Sequence, residues 1–107
     1  MNLLKETLEY FDCYRFLESN ITFIGSIDGK YKCSWEEFLD LANFEYHDGY
    51  GGQEVASDLI IVFKDGIKMY RHEYDGSECW NHQVIPKEYK RHKKIKRLKI
   101  VDTGWDR

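Results

Sequence analysis

The chain has 107 residues, 33% of them charged and 16% aromatic, which suits one domain built around a few large apolar side chains, each able to bury ~150–250 Å². No apolar run approaches the ~18 residues of a membrane span, the start Met1-Asn2-Leu3-Leu4-Lys5-Glu6 lacks the basic and apolar regions of a secretory leader, and Cys13, Cys33 and Cys79 are too few and too scattered for a disulfide framework, so the expected compartment is the cytoplasm. The net charge of −3 is unevenly divided: residues 1–57 hold eleven acidic and four basic side chains, residues 58–85 five and three, and residues 86–107 three and nine, giving an acidic body with a basic C-terminal segment.

Residues 3–18 predict an amphipathic helix, with Leu4, Leu8, Phe11, Tyr14 and Leu17 on one face at spacings of three and four. Ile21 to Ile24, then Asp28-Gly29, then Tyr31 to Cys33 predict a small hairpin. Ser34-Trp35-Glu36-Glu37 is a capping box, with Cys33 and Phe38 placed as a hydrophobic staple. A short helix over 35–42 follows, with an apolar stripe of Trp35, Phe38, Leu39 and Ala42. Residues 44–57 read as a turn-rich connection with a short strand at 44–47.

Residues 58–85 predict a three-stranded antiparallel meander: Asp58 to Phe63, Ile67 to Tyr74 and Ser77 to Ile85, joined at Asp65-Gly66 and Asp75-Gly76. Asp-Gly between strand-like runs is a strong hairpin signal, because a type I′ turn needs positive φ at both central residues. With two-residue loops throughout, Ile61 faces Tyr70, Tyr70 faces Asn81 and His72 faces Cys79. Leu59, Ile61, Phe63, Tyr70, His72, Tyr74 and Cys79 then share one side of the sheet, and Ile60, Val62, Ile67, Met69, Trp80, His82 and Val84 the other. Pro86 ends the last strand. The fold class is α+β: a single domain, 1–107, with two short helices on an antiparallel meander of three to five strands. Residues 86–107 form its basic C-terminal segment, with a final strand at 99–101.

The candidate chemistry is sparse. His72 and Cys79, as cross-strand neighbours, could hold zinc with Cys33 or His47 completing the set, although no Cys-x-x-Cys or finger spacing occurs; the plainer expectation is no cofactor. The same Cys/His pair lacks the orienting acid and oxyanion hole of a nucleophilic site. Gly49 to Gly52 is not followed by the Lys-Ser/Thr of a phosphate loop. Lys87, Lys90, Arg91, Lys93, Lys94, Lys96 and Arg97 could track a nucleic-acid backbone. In the acidic body, Tyr46, Tyr50, Glu54, Tyr70, Tyr74 and Trp80 are candidate contacts for a protein partner, with tyrosines as anchors among carboxylates.

Tyr50-Gly51-Gly52-Gln53-Glu54-Val55-Ala56 and Arg71-His72-Glu73-Tyr74-Asp75-Gly76-Ser77-Glu78-Cys79-Trp80 resemble small uncharacterised proteins of phages and prophages of Gram-positive bacteria. The resemblance covers roughly residues 35–85. In that pattern an aromatic often stands where Cys79 does here, so no metal role for Cys79 is implied for the group. Small acidic phage proteins of this kind include anti-CRISPR inhibitors. The resemblance therefore implies a non-enzymatic protein that binds a host defence protein, such as a Cas effector nuclease, and carries over no catalytic residues.

Overall fold

The computed structural model describes residues 1–47, 54–74, 77–85 and 94–95. Among these residues two helices, α1 (Leu3–Tyr14) and α2 (Trp35–Leu41), accompany a four-stranded antiparallel sheet of β1 (Ile21–Ser26), β2 (Leu59–Phe63), β3 (Ile67–Tyr74) and β4 (Ser77–Val84), in the order β1-β2-β3-β4. The α+β class and the meander are as expected from the sequence. The strand at 99–101 lies outside the described residues.

Helix α1 starts where the Asn2 side chain accepts the Lys5 N–H at 3.0 Å. It ends four residues short of the expected boundary, because Arg15 turns left-handed at φ 59° and the Phe16 N–H bonds back to the Phe11 carbonyl at 2.8 Å. That reversal brings the Phe16 ring within 5.1 Å of Phe63 and 5.2 Å of His82. The buried face of α1 is also different from the one expected. Leu3, Thr7 and Phe11 point inward, whereas Leu8, Tyr14 and Leu17 are exposed. Moving from Leu4/Leu8 to Leu3/Thr7 is one residue, or ~100°, around the helix.

The capping box of α2 forms in full, with the Ser34 hydroxyl accepting from Glu37 N–H at 3.1 Å and the Glu37 carboxylate accepting from Ser34 N–H at 2.9 Å. These bonds hold the Glu37 carboxyl below its usual range. Trp35 stacks on both Phe38 and Phe11, at 5.6 and 5.3 Å, and so ties α2 to α1. The small hairpin expected at 21–33 is present in short form: Gly25 bridges Lys32, the Ser26 N–H bonds the Tyr31 carbonyl at 3.0 Å and the Cys33 N–H bonds the Ile24 carbonyl at 2.9 Å, while β1 also pairs along its length with β2. A Cβ on Gly25 would stand 1.9 Å from the Tyr31 carbonyl oxygen, so that approach needs glycine. The strand expected at 44–47 is also a single bridge, Asn2↔Glu45.

In the first hairpin Ile61 pairs with Met69 and Ile60 with Tyr70, one residue away from the expected register. The loop holds three residues, Lys64, Asp65 and Gly66, with Gly66 at φ +88°. A three-residue loop closed by a left-handed glycine adds one residue and thereby turns β2 over. Ile61 and Phe63 thus join Met69, Arg71, Glu78 and Trp80 on the inner side with the helices, while Tyr70, His72, Tyr74 and Cys79 stand on the outer side. The second hairpin keeps the expected register, with Tyr70↔Asn81, His72↔Cys79 and Tyr74↔Ser77.

Gly66→Ala should lower stability by ~1–3 kcal/mol, the usual cost of a non-glycine residue in a strained left-handed position. Its Cβ would also meet the Ile85 carbonyl oxygen at 2.6 Å. Chemical denaturation of the two proteins checks this.

Candidate functional site

The inner side of the sheet holds an ion network where a wholly apolar core would be the simpler solution. Arg71, on β3, has a side chain with no exposed surface. Its Nη1 lies 3.2 Å from Oε1 of Glu6 on α1, and its Nη2 lies 3.3 Å from Oε1 of Glu78 on β4, itself fully buried. The second nitrogen also donates to the Tyr46 hydroxyl at 3.2 Å. Around the guanidinium lie the Trp80 ring at 4.9 Å and the Tyr46 ring at 5.6 Å, both close enough for cation–π attraction.

Both carboxylates are well supplied with donors. Glu6 accepts from the Tyr46 hydroxyl, from Arg71 and from the Trp80 backbone N–H at 3.2 Å. Glu78 accepts from the Glu54 and Val55 backbone N–H groups at 2.6 and 3.1 Å. Beside them the Trp80 indole donates to the Thr7 hydroxyl at 2.8 Å, and that hydroxyl donates to the Leu3 carbonyl at 2.7 Å. Thr7 therefore belongs on the inner face despite being polar. At the far end of β4 the Tyr10 hydroxyl meets His82 Nδ1 at 2.6 Å, within a cluster that includes Tyr14 and Phe16. The His82 N–H is taken by the Asn81 side chain at 2.8 Å.

Burial pulls the Arg71 guanidinium toward its neutral form, but the Tyr46 hydrogen bond and the Glu6 charge outweigh it and raise its affinity for the proton. Burial, then the bond to Glu6, push the Tyr46 phenol above its ordinary value of 10.0, against the opposing pull of Arg71. Burial likewise raises the Cys79 thiol, with Arg71 pulling the other way.

This arrangement redistributes the residues expected to meet a partner. Tyr46 and Trp80 are only 4% and 3% exposed, so they anchor the core and cannot serve as surface contacts. Their polar tips face Glu6 and Thr7, which lets large aromatic rings be buried without stranding a hydroxyl or an indole N–H. Glu54 is exposed, and its carboxylate accepts the His47 N–H at 2.7 Å. Tyr70 is half-buried on the outer face and Tyr74 is 76% exposed. Tyr50 lies outside the described residues, as do Lys87, Lys90, Arg91, Lys93, Lys96 and Arg97; Lys94 is described and exposed.

His72 and Cys79 do face each other across β3 and β4, and both are exposed. Among the described residues no group of three or more His, Cys, Asp or Glu side chains is placed to hold a metal ion, so neither Cys33 nor His47 completes a set with them. Also among the described residues, no helix is long and apolar enough to cross a membrane. Comparison with protein-family models, with curated proteins and with solved structures finds no match.

The network that reasoning from sequence missed is Glu6–Arg71–Glu78. Charged residues read as surface, and Glu6 and Arg71 are 65 positions apart. The available signal was alternation: Arg71 shares its side of β3 with Ile67 and Met69, and Glu78 shares its side of β4 with Trp80.

Arg71→Met should destabilise the protein by about 3–5 kcal/mol, because buried Glu78 and partly buried Glu6 would lose their cationic partner. Adding Glu78→Gln should recover part of that loss, measurable by denaturant titration of the single and double variants.

The Tyr46 shift sets a pH dependence. A phenol whose folded pKa is raised contributes stability that is complete below pH 10 and is lost as pH climbs from there toward the folded value. The alkaline fall in melting temperature should therefore be shallower in Tyr46→Phe than in the parent protein.

Proposed function

We propose that the chain is a non-enzymatic inhibitor, encoded by a phage or mobile element, that binds a host defence protein directly, with a Cas effector nuclease as the leading partner. One observation supports this reading above the rest. Of the eleven carboxylates in residues 1–57, nine are exposed; Glu6 is turned inward and Asp48 lies outside the described residues. Lys5, Arg15, Lys30 and Lys32, all exposed, do not balance them.

Nucleases that grip a phosphate backbone present basic channels. A folded body covered with carboxylates is complementary to such a channel, speeding encounter and disfavouring the nucleic acid that competes for it. Tyr74 and Tyr70, on a hairpin held from behind by Arg71, add aromatic contact area. The resemblance of the Tyr50–Ala56 and Arg71–Trp80 segments to phage proteins supports the same reading.

The basic stretch at 87–99 supports a second reading, a small nucleic-acid-binding accessory protein. The cross-strand His72/Cys79 pair is the support for a third, a zinc-stabilised binding domain.

Incubation of the purified protein with a panel of Cas effectors and other bacterial defence nucleases should give a stable complex that weakens with added salt, together with loss of DNA cleavage. Neither binding nor inhibition across the panel would end the inhibitor reading. A salt-dependent mobility shift of DNA or RNA, abolished by neutralising the Lys and Arg residues of 87–99, would replace it with the second.

A further inference from the structure

The rotation of α1 leaves apolar surface only partly covered, although Leu4 still packs against the core. Leu4 is half-buried and Leu8 is 45% exposed, one helical turn apart on the same side of α1. They form the floor of an open groove of about 610 Å³. Glu9, Asp12 and Glu45 line its rim, and Glu45 is 74% exposed. One end is closed by Asn2, whose side-chain amide donates to the Asn43 side-chain carbonyl at 3.1 Å. Lys5 and the Met1 amine, 3.8 Å from Glu45, offset part of the rim charge. The other exposed carboxylates of residues 1–57 supply the wider negative field.

An apolar floor with a carboxylate rim is complementary to a ligand that is apolar on one stripe and cationic beside it. We infer that this groove docks a basic amphipathic helix presented by a protein partner. Leucines spaced i, i+4 interdigitate with the same spacing on a facing helix. The rim offers side-chain carboxylates, which suit Lys and Arg, and among the described residues that line it none belongs to a strand of the sheet. That the bearer of this helix is a defence protein rests on the inhibitor reading; the groove and its chemistry do not.

The test uses the whole protein and a synthetic helical peptide of about five turns with a Leu stripe flanked by Lys and Arg. Fluorescence anisotropy should show binding that weakens with salt, and amide shifts should centre on Leu4, Leu8 and Asp12. Leu8→Ser and the double reversal Glu9→Lys, Asp12→Lys should each weaken binding by about tenfold, a change of ~1.4 kcal/mol. All three positions are solvent-facing, and circular dichroism verifies that the variants fold. Glu36→Lys, on α2 and outside the groove, should weaken peptide binding far less than the groove variants do. The inference is overturned if the peptide does not bind, if a Glu-flanked peptide binds equally well, if the two groove variants bind like the parent, or if the shifts lie elsewhere. A protein that inhibits a nuclease but ignores the peptide overturns the groove alone. One that binds the peptide through Leu8 but engages no defence protein overturns the inhibitor reading alone.

Discussion

The guanidinium of Arg71 is the constraint around which the rest of the protein is arranged. A cation with no exposed surface is tolerable only if anionic and aromatic groups replace its lost water. Here they come from three separate stretches of chain: Glu6 from α1, Tyr46 from the connection after α2, and Glu78 and Trp80 from β4. Glu78 extends the set further by holding the backbone of Glu54 and Val55. Helix, connection and hairpin are therefore bound to a single side chain. Removing that side chain leaves two carboxylates with hydrogen-bond donors but without the cation that neutralised them.

This constraint also fixes how α1 sits. Glu6, Thr7 and Tyr10 each reach a partner on β3 or β4, namely Arg71, Trp80 and His82. A helix turned by one residue to bury Leu4 and Leu8 would carry Thr7 and Glu6 away from those partners. The network thus favours a helix whose most apolar stripe is not wholly buried. The exposed Leu8 follows from the same geometry that pairs Arg71 with Glu6, so the polar core and the outer groove have one origin.

Much of the fold was legible in local patterns. The capping box at Ser34, the turn at Asp65-Gly66 and the β-branched run ending at Phe63 each report on chemistry within a few residues, and all three elements are present. What escaped was decided at longer range. The Lys64–Gly66 loop takes three residues where Asp-Gly alone suggests two, and that one residue turns β2 over. The face of α1 was misjudged because periodicity weighs Leu above Thr, whereas a buried indole needs a hydroxyl acceptor. Of the partner-contact residues, Tyr74 and Tyr70 kept a surface position. Tyr46 and Trp80 did not, since their aromatic bulk was needed around Arg71.

Among the described residues β4 is an end strand of the sheet, and an end strand ordinarily offers its unpaired amides to any extended chain that drifts past. Two of those amides are already engaged, Trp80 by the Glu6 carboxylate and His82 by the Asn81 side chain. An incoming strand would have to evict a carboxylate that also holds Arg71 before it could start a ladder. The charge that organises the interior therefore doubles as a guard on the rim of the sheet, opposing edge-to-edge stacking of one copy on the next when the protein is abundant.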